Sequence, residues 1–139
     1  VEYSRLTRDV QDELQQIIDG LSRQYDYLLL DTGAGISDIV LYTASLASEV
    51  LVVATPDPTA LADAYAIIKV LAQMQKRSSV RLMFNQVRSA AEGRRLAEQL
   101  QVVVDRFVNV RAGISVKLEY MGEIPSDSEV SDAIRKRQL

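Results

Sequence analysis

Two apolar periodicities alternate along this chain. From residue 4 to 22, Leu6, Val10, Leu14, Ile17, Ile18 and Leu21 recur at helical spacing among Arg, Asp, Gln and Glu, which predicts an amphipathic helix ending near Gly20. An apolar run closed by a carboxylate follows, and it predicts a buried parallel strand over Tyr27–Asp31. After Gly33 and Gly35, Ser37 or Asp38 caps a short helix carrying Ile39, Val40, Tyr42 and Leu46. The continuous β-branched run from Val50 to Thr55 predicts a second strand buried on both faces, stopped by Pro56 and Pro58. Thr59 then caps a helix from Ala60 to about Gln75, with Leu61, Ala64, Tyr65, Ile68 and Leu71 on one side. Arg81–Asn85 is the third strand, and a helix from about Ala90 to Phe107 follows it. Val116–Tyr120 is the fourth, followed by the loop Gly122-Glu-Ile-Pro-Ser-Asp127 and a last helix.

Regular alternation of strand and helix implies a single α/β domain, a three-layer sandwich whose mostly parallel sheet is covered on both faces. The loops after Asp31, Thr55, Asn85 and Tyr120 then share one edge, where open α/β sheets hold their ligands. Two readings of Asp31 stand side by side. Gly33 and Gly35 permit a close backbone approach to an anion, with Asp31 as a ligand-side carboxylate. Alternatively, Asp31 caps the next helix and the glycines turn the chain. Asn85 likewise either presents a side-chain amide to a ligand or ends a strand and turns the chain. The aliphatic stripe from Leu61 to Leu71 is core. Asp63, Tyr65 and Lys69 are solvated or face a partner subunit, and Arg94-Arg95 and Arg135-Lys-Arg137 are solvated helix faces.

Composition narrows the chemistry. The 139 residues include no cysteine and no histidine, which removes thiolate chemistry, the commonest general base and the commonest transition-metal ligand. Carboxylates, hydroxyls and carbonyls are left for a hard cation. A net charge of -3 argues against a nucleic-acid partner. No apolar run approaches the ~20 residues needed to span a bilayer, so a cytoplasmic setting is expected.

Four strand-end motifs in order, Asp31-Thr-Gly-Ala-Gly-Ile-Ser37, Thr55-Pro-Asp-Pro-Thr59, Asn85-Gln-Val-Arg-Ser89 and Tyr120-Met-Gly-Glu-Ile-Pro-Ser-Asp127, resemble the second half of MinD/ParA-type deviant Walker ATPases. Within that family they are most like the flagellar-number regulators FlhG, FleN or YlxH. The resemblance runs from about Tyr25 to Gln138 and implies a P-loop NTPase-like fold of the SIMIBI class. It implies that Asp31 is the Walker B carboxylate that holds Mg²⁺ through water, and that Thr32 to Gly35 form the loop near the γ-phosphate. Asn85, with Gln86 beside it, reads adenine, and Ile124, Pro125, Ser126 and Asp127 line the purine pocket.

The phosphate-binding Gly-x-x-x-x-Gly-Lys-Ser/Thr is missing from the 139 residues, and so is the strand that precedes it. The chain is therefore expected to be the C-terminal part of a longer domain and to hydrolyse no ATP by itself. The complete protein is expected to bind ATP or ADP with Mg²⁺, to form a homodimer, to meet flagellar regulatory or basal-body proteins, and to reach the membrane at the cell pole only through other segments. In the family the P-loop strand lies between the strands ending at Asp31 and Thr55. Without it those two strands are expected to pair directly, to recruit a second copy, or to stand apart across an empty slot. An alternative from another class is a receiver-like phosphoacceptor with Asp31 as the phosphorylated residue. It lacks the acidic pair on a preceding strand and the lysine expected near Asn85. A dinucleotide-binding oxidoreductase is weaker, because Gly33-Ala-Gly35 lacks the third glycine of that fingerprint.

Overall fold

The computed structural model describes residues 7–110 and 113–138; Leu6, assigned by periodicity to the first helix, lies outside them. The chain divides into two compact units, residues 1–50 and 51–139.

In the first unit, α1 (Arg8–Ser22) and α2 (Asp38–Leu46) are tied by the Tyr42 hydroxyl, which donates to the Gln11 carbonyl at 2.9 Å. α1 is amphipathic as its spacing demands, yet it buries no residue, and α2 buries only Val40. The predicted strand Tyr27–Asp31 does not form. Tyr27 is 89% exposed and Leu29 92% exposed, and the segment is irregular. An extended segment becomes a strand only when a neighbour pairs with its N–H and C=O groups. The neighbour that the resemblance supplies is the P-loop strand, and no phosphate-loop motif occurs in this sequence. Apolar composition alone does not replace that ladder.

The second unit is a parallel three-stranded sheet in the order β1 (Leu51–Ala54), β2 (Ser79–Val87), β3 (Lys117–Pro125). It is completed by α3 (Pro58–Gln75), α4 (Ala90–Val104) and α5 (Ser128–Lys136). Strands succeeding one another in space with right-handed crossovers put both intervening helices on the same face. α3 packs on β1, α4 on β2 and β3, and the helices pack on each other. The core lies beneath them: Val80, Leu82 and Phe84 of β2 are 0–1% exposed, and Ile68 and Leu71 of α3 are both 0% exposed. Burial of both faces of β1 is not observed. Val52 and Ala54 are buried, whereas Leu51 and Val53 on the other side are 48% and 55% exposed.

Caps and clamps hold the ends. The cap of α3 is Asp57, two residues before the expected Thr59; its Oδ1 accepts the Thr59 and Ala60 N–H groups at 2.8 and 3.2 Å, with Pro58 in the first turn. α4 ends at Val104 and passes into a π-helical turn over Asp105–Asn109, so the helix expected to reach Phe107 widens before it. Gln101 of α4 then treats β3 as a neighbouring strand would. Its Oε1 accepts the Leu118 N–H at 2.7 Å and its Nε2 donates to the Val116 carbonyl at 3.0 Å, covering one end of an edge strand.

The hydrogen bonds from Ala60 and then Thr59 hold the Asp57 carboxyl below its ordinary value of 3.8. A depressed carboxyl contributes stability that is present above its unfolded pKa and lost as pH falls through the lower folded value. Asp57→Ala is therefore expected to lower the melting temperature at neutral pH, with the gap to the parent closing below pH 3.8. A gap that stays constant into acid would show that the cap acts without its charge.

Candidate nucleotide-recognition site

The residues singled out by sequence fall into two groups. Asp31, Thr32, Gly33 and Gly35 belong to the first unit and lie on an exposed, irregular segment. Asp31, expected at the end of a strand, ends none there. Nothing lies within 4 Å of where a Cβ would sit on Gly33 or Gly35, so packing demands neither glycine; Gly35 alone has a reason to be glycine, its φ of 98°. Mg²⁺ is held in such sites by one or two carboxylates together with substrate phosphates. Among the described residues no group of three metal-ligating side chains comes together. The one carboxylate that the resemblance offers to Mg²⁺, Asp31, lies exposed on the irregular segment.

The second group is brought together. Asn85, Gln86, Ile124, Pro125 and Asp127 all lie at the carboxyl end of β2 and β3, where Asn85 is the register partner of Ile124 and Val87 of Pro125. Ile124 and Pro125, expected in a loop, are the last two residues of β3. The Ser126 N–H donates to the Val87 carbonyl at 2.8 Å, and the Asp127 carboxylate caps α5 by accepting the Glu129 N–H at 2.8 Å. The backbone around Ile124–Asp127 is therefore pinned on both sides.

Two irregularities frame the Asn85–Ile124 pair, and neither was legible in the sequence. Between Leu82↔Tyr120 and Met83↔Gly122, β3 carries one extra residue, Met121; between Asn85↔Ile124 and Val87↔Pro125, β2 carries one extra, Gln86. Gly122 has φ 133°, closed to other residues, and Gln86 has φ 60°, uncommon for a non-glycine residue. The Asn85 Oδ1 accepts the Gln86 N–H at 2.9 Å. Asn85 thus supports the bulge, and its oxygen retains a second lone pair and its amide a donor for a ligand. The one signal that could have found this was Gly122 inside an otherwise strand-like run.

Elsewhere in the second unit, an apolar groove of about 310 Å³ runs between α3 and α4 past Leu61, Tyr65, Leu96, Leu100 and Val103. It shares no residue with either group. Asp63, Arg94 and Arg95 are exposed, as solvated helix faces should be, while Tyr65 and Lys69 are half-buried. No described helix is long and apolar enough to cross a membrane.

No family model matches the chain. Among curated proteins it is 38% identical over 125 residues to the antiactivator FleN of Pseudomonas aeruginosa, covering 90% of this chain and 42% of that protein. It is 32% identical over 130 residues to the flagellum site-determining protein YlxH of Helicobacter pylori, covering 92% and 42% respectively. It is 31% identical over 78 residues to the septum site-determining protein MinD of Bacillus subtilis, covering 56% and 29%. The parallel sheet and these similarities define a MinD/ParA-type α/β chain of P-loop NTPase-like fold. Within that class it is related to the flagellar FleN and YlxH (FlhG) proteins, over about two fifths of their length.

Proposed function

We propose that this chain is the base-recognising part of a nucleotide-responsive protein that regulates flagellar number or placement. Similarity to FleN and YlxH over nine tenths of the chain is the observation that carries this reading. The local geometry supports it: an amide side chain and a proline-stiffened strand end sit side by side at the carboxyl edge of a parallel sheet, the edge where such folds take ligands. An amide can match both the donor and the acceptor edge of adenine, and the Ile124–Pro125 segment offers an apolar wall to the ring. The phosphates and Mg²⁺ of ATP fall to the part of the relatives' length that this chain does not span. In this scheme the protein works in the cytoplasm as a homodimer whose assembly follows the bound nucleotide, with flagellar regulatory or basal-body proteins reading the outcome.

Cells from which the encoded protein has been removed are expected to carry an altered number or position of flagella, counted by electron microscopy and restored by the parent gene. Unaltered flagella in such cells would refute the flagellar role.

A further inference from the structure

Tyr120 and Glu123 stand three apart in β3, so regular alternation would send their side chains to opposite faces of the sheet. The extra residue Met121 changes that. Tyr120 partners Leu82 and Glu123 partners Phe84, both of whose side chains are buried against the helices, so both fall on the helix side. There the Tyr120 hydroxyl donates to the Glu123 carboxylate. This bond can form only in the bulged register. If the Leu82↔Tyr120 pairing continued without the bulge, Glu123 would lie opposite Asn85, and Ile124 would leave it. Gly93 of α4 closes the site from above: a Cβ there would collide with the Tyr120 hydroxyl and stand 3.2 Å from the Glu123 Cβ.

We propose that Tyr120, Glu123 and Gly93 form a register lock that positions Ile124–Pro125 beside Asn85 and so sets the affinity of the site for an adenine base. The lock rests on the base-recognition reading above. These three are positioning residues: the Tyr120 and Glu123 side chains face the helices and Gly93 lies on α4 above them, on the opposite side of the sheet from the Asn85–Ile124 pair. Burial, followed by the bond to Glu123, pushes the Tyr120 hydroxyl up to about 12, which keeps the donor proton in place at any ordinary pH.

The test is titration calorimetry on the protein at its full encoded length, with ATP and with ribose 5′-triphosphate, which carries the phosphates without a base. Tyr120→Phe is expected to weaken ATP about tenfold, the loss of one hydrogen bond to a charged group, and to leave ribose 5′-triphosphate unchanged. Glu123→Gln, which still accepts the bond, is expected to stay near the parent, whereas Glu123→Ala falls with Tyr120→Phe. Gly93→Ala is also expected to weaken ATP, but Gly93→Ala combined with Tyr120→Phe should lose less than the two single losses added, because the colliding oxygen is gone and only the 3.2 Å approach to the Glu123 Cβ is left. Equal losses for both ligands in Tyr120→Phe, or no loss for either while Asn85→Ala is impaired, would overturn the lock and leave the base site standing. ATP affinity unchanged in Asn85→Ala would overturn the base site and the lock's role together.

Discussion

Phe84→Ala is expected to cost the second unit about 3–5 kcal/mol, while Leu29→Ala costs within about 0.5 kcal/mol of nothing. Both residues sit in apolar runs that read as buried strands, so sequence pattern alone assigns them similar penalties. The structure separates them. Phe84 is 0% exposed between β2 and the helices, and truncation leaves a cavity as well as a lost transfer term; Leu29 is 92% exposed and has little to lose. Against a total stability of about 5–15 kcal/mol for a domain, the Phe84 loss is large enough to unfold a substantial fraction of the protein. Hydrogen exchange of the β2 amides in native conditions measures it directly, because the deepest strand exchanges only through the unfolding of its own unit. A Leu29→Ala penalty comparable to that of Phe84→Ala would show that Tyr27–Asp31 is a packed strand after all.

Asn85→Ala should weaken ATP binding to the protein at its full encoded length by about 1–3 kcal/mol, the cost of leaving buried polar groups on the base unpaired. Because Asn85 also accepts the Gln86 N–H, this substitution removes a bulge support as well as a ligand contact. Asn85→Asp distinguishes the two. Its carboxylate still accepts from Gln86 but presents no N–H donor to the base, so its melting temperature should stay close to the parent while ATP affinity falls as in the alanine variant. Unchanged affinity in Asn85→Asp, with stability lost only in Asn85→Ala, would assign Asn85 to the turn.

The periodicity of the chain was enough to determine α1, α2, α3 and α4, because each buries or presents a stripe that the spacing itself displays. It also determined β1 and the interior of β2, and the order of elements fixed a parallel arrangement. The Asn85 and Ile124–Asp127 segments were recognisable as strand-end motifs from residue identity alone. Other features needed the tertiary structure because they depend on a neighbour. Leu28–Leu30 is as apolar as Leu51–Ala54, but only the latter finds a ladder partner, in Arg81–Phe84. Exposure of Leu51 and Val53 follows from both crossover helices lying on one face, which no single strand's composition records. The bulges at Met121 and Gln86 are differences between two strands' registers, so they exist only when β2 and β3 are paired. It is the bulge at Met121 that carries Tyr120 and Glu123 to the same face and seats Ile124 beside Asn85, since a one-residue shift in a period of two exchanges the faces of everything beyond it.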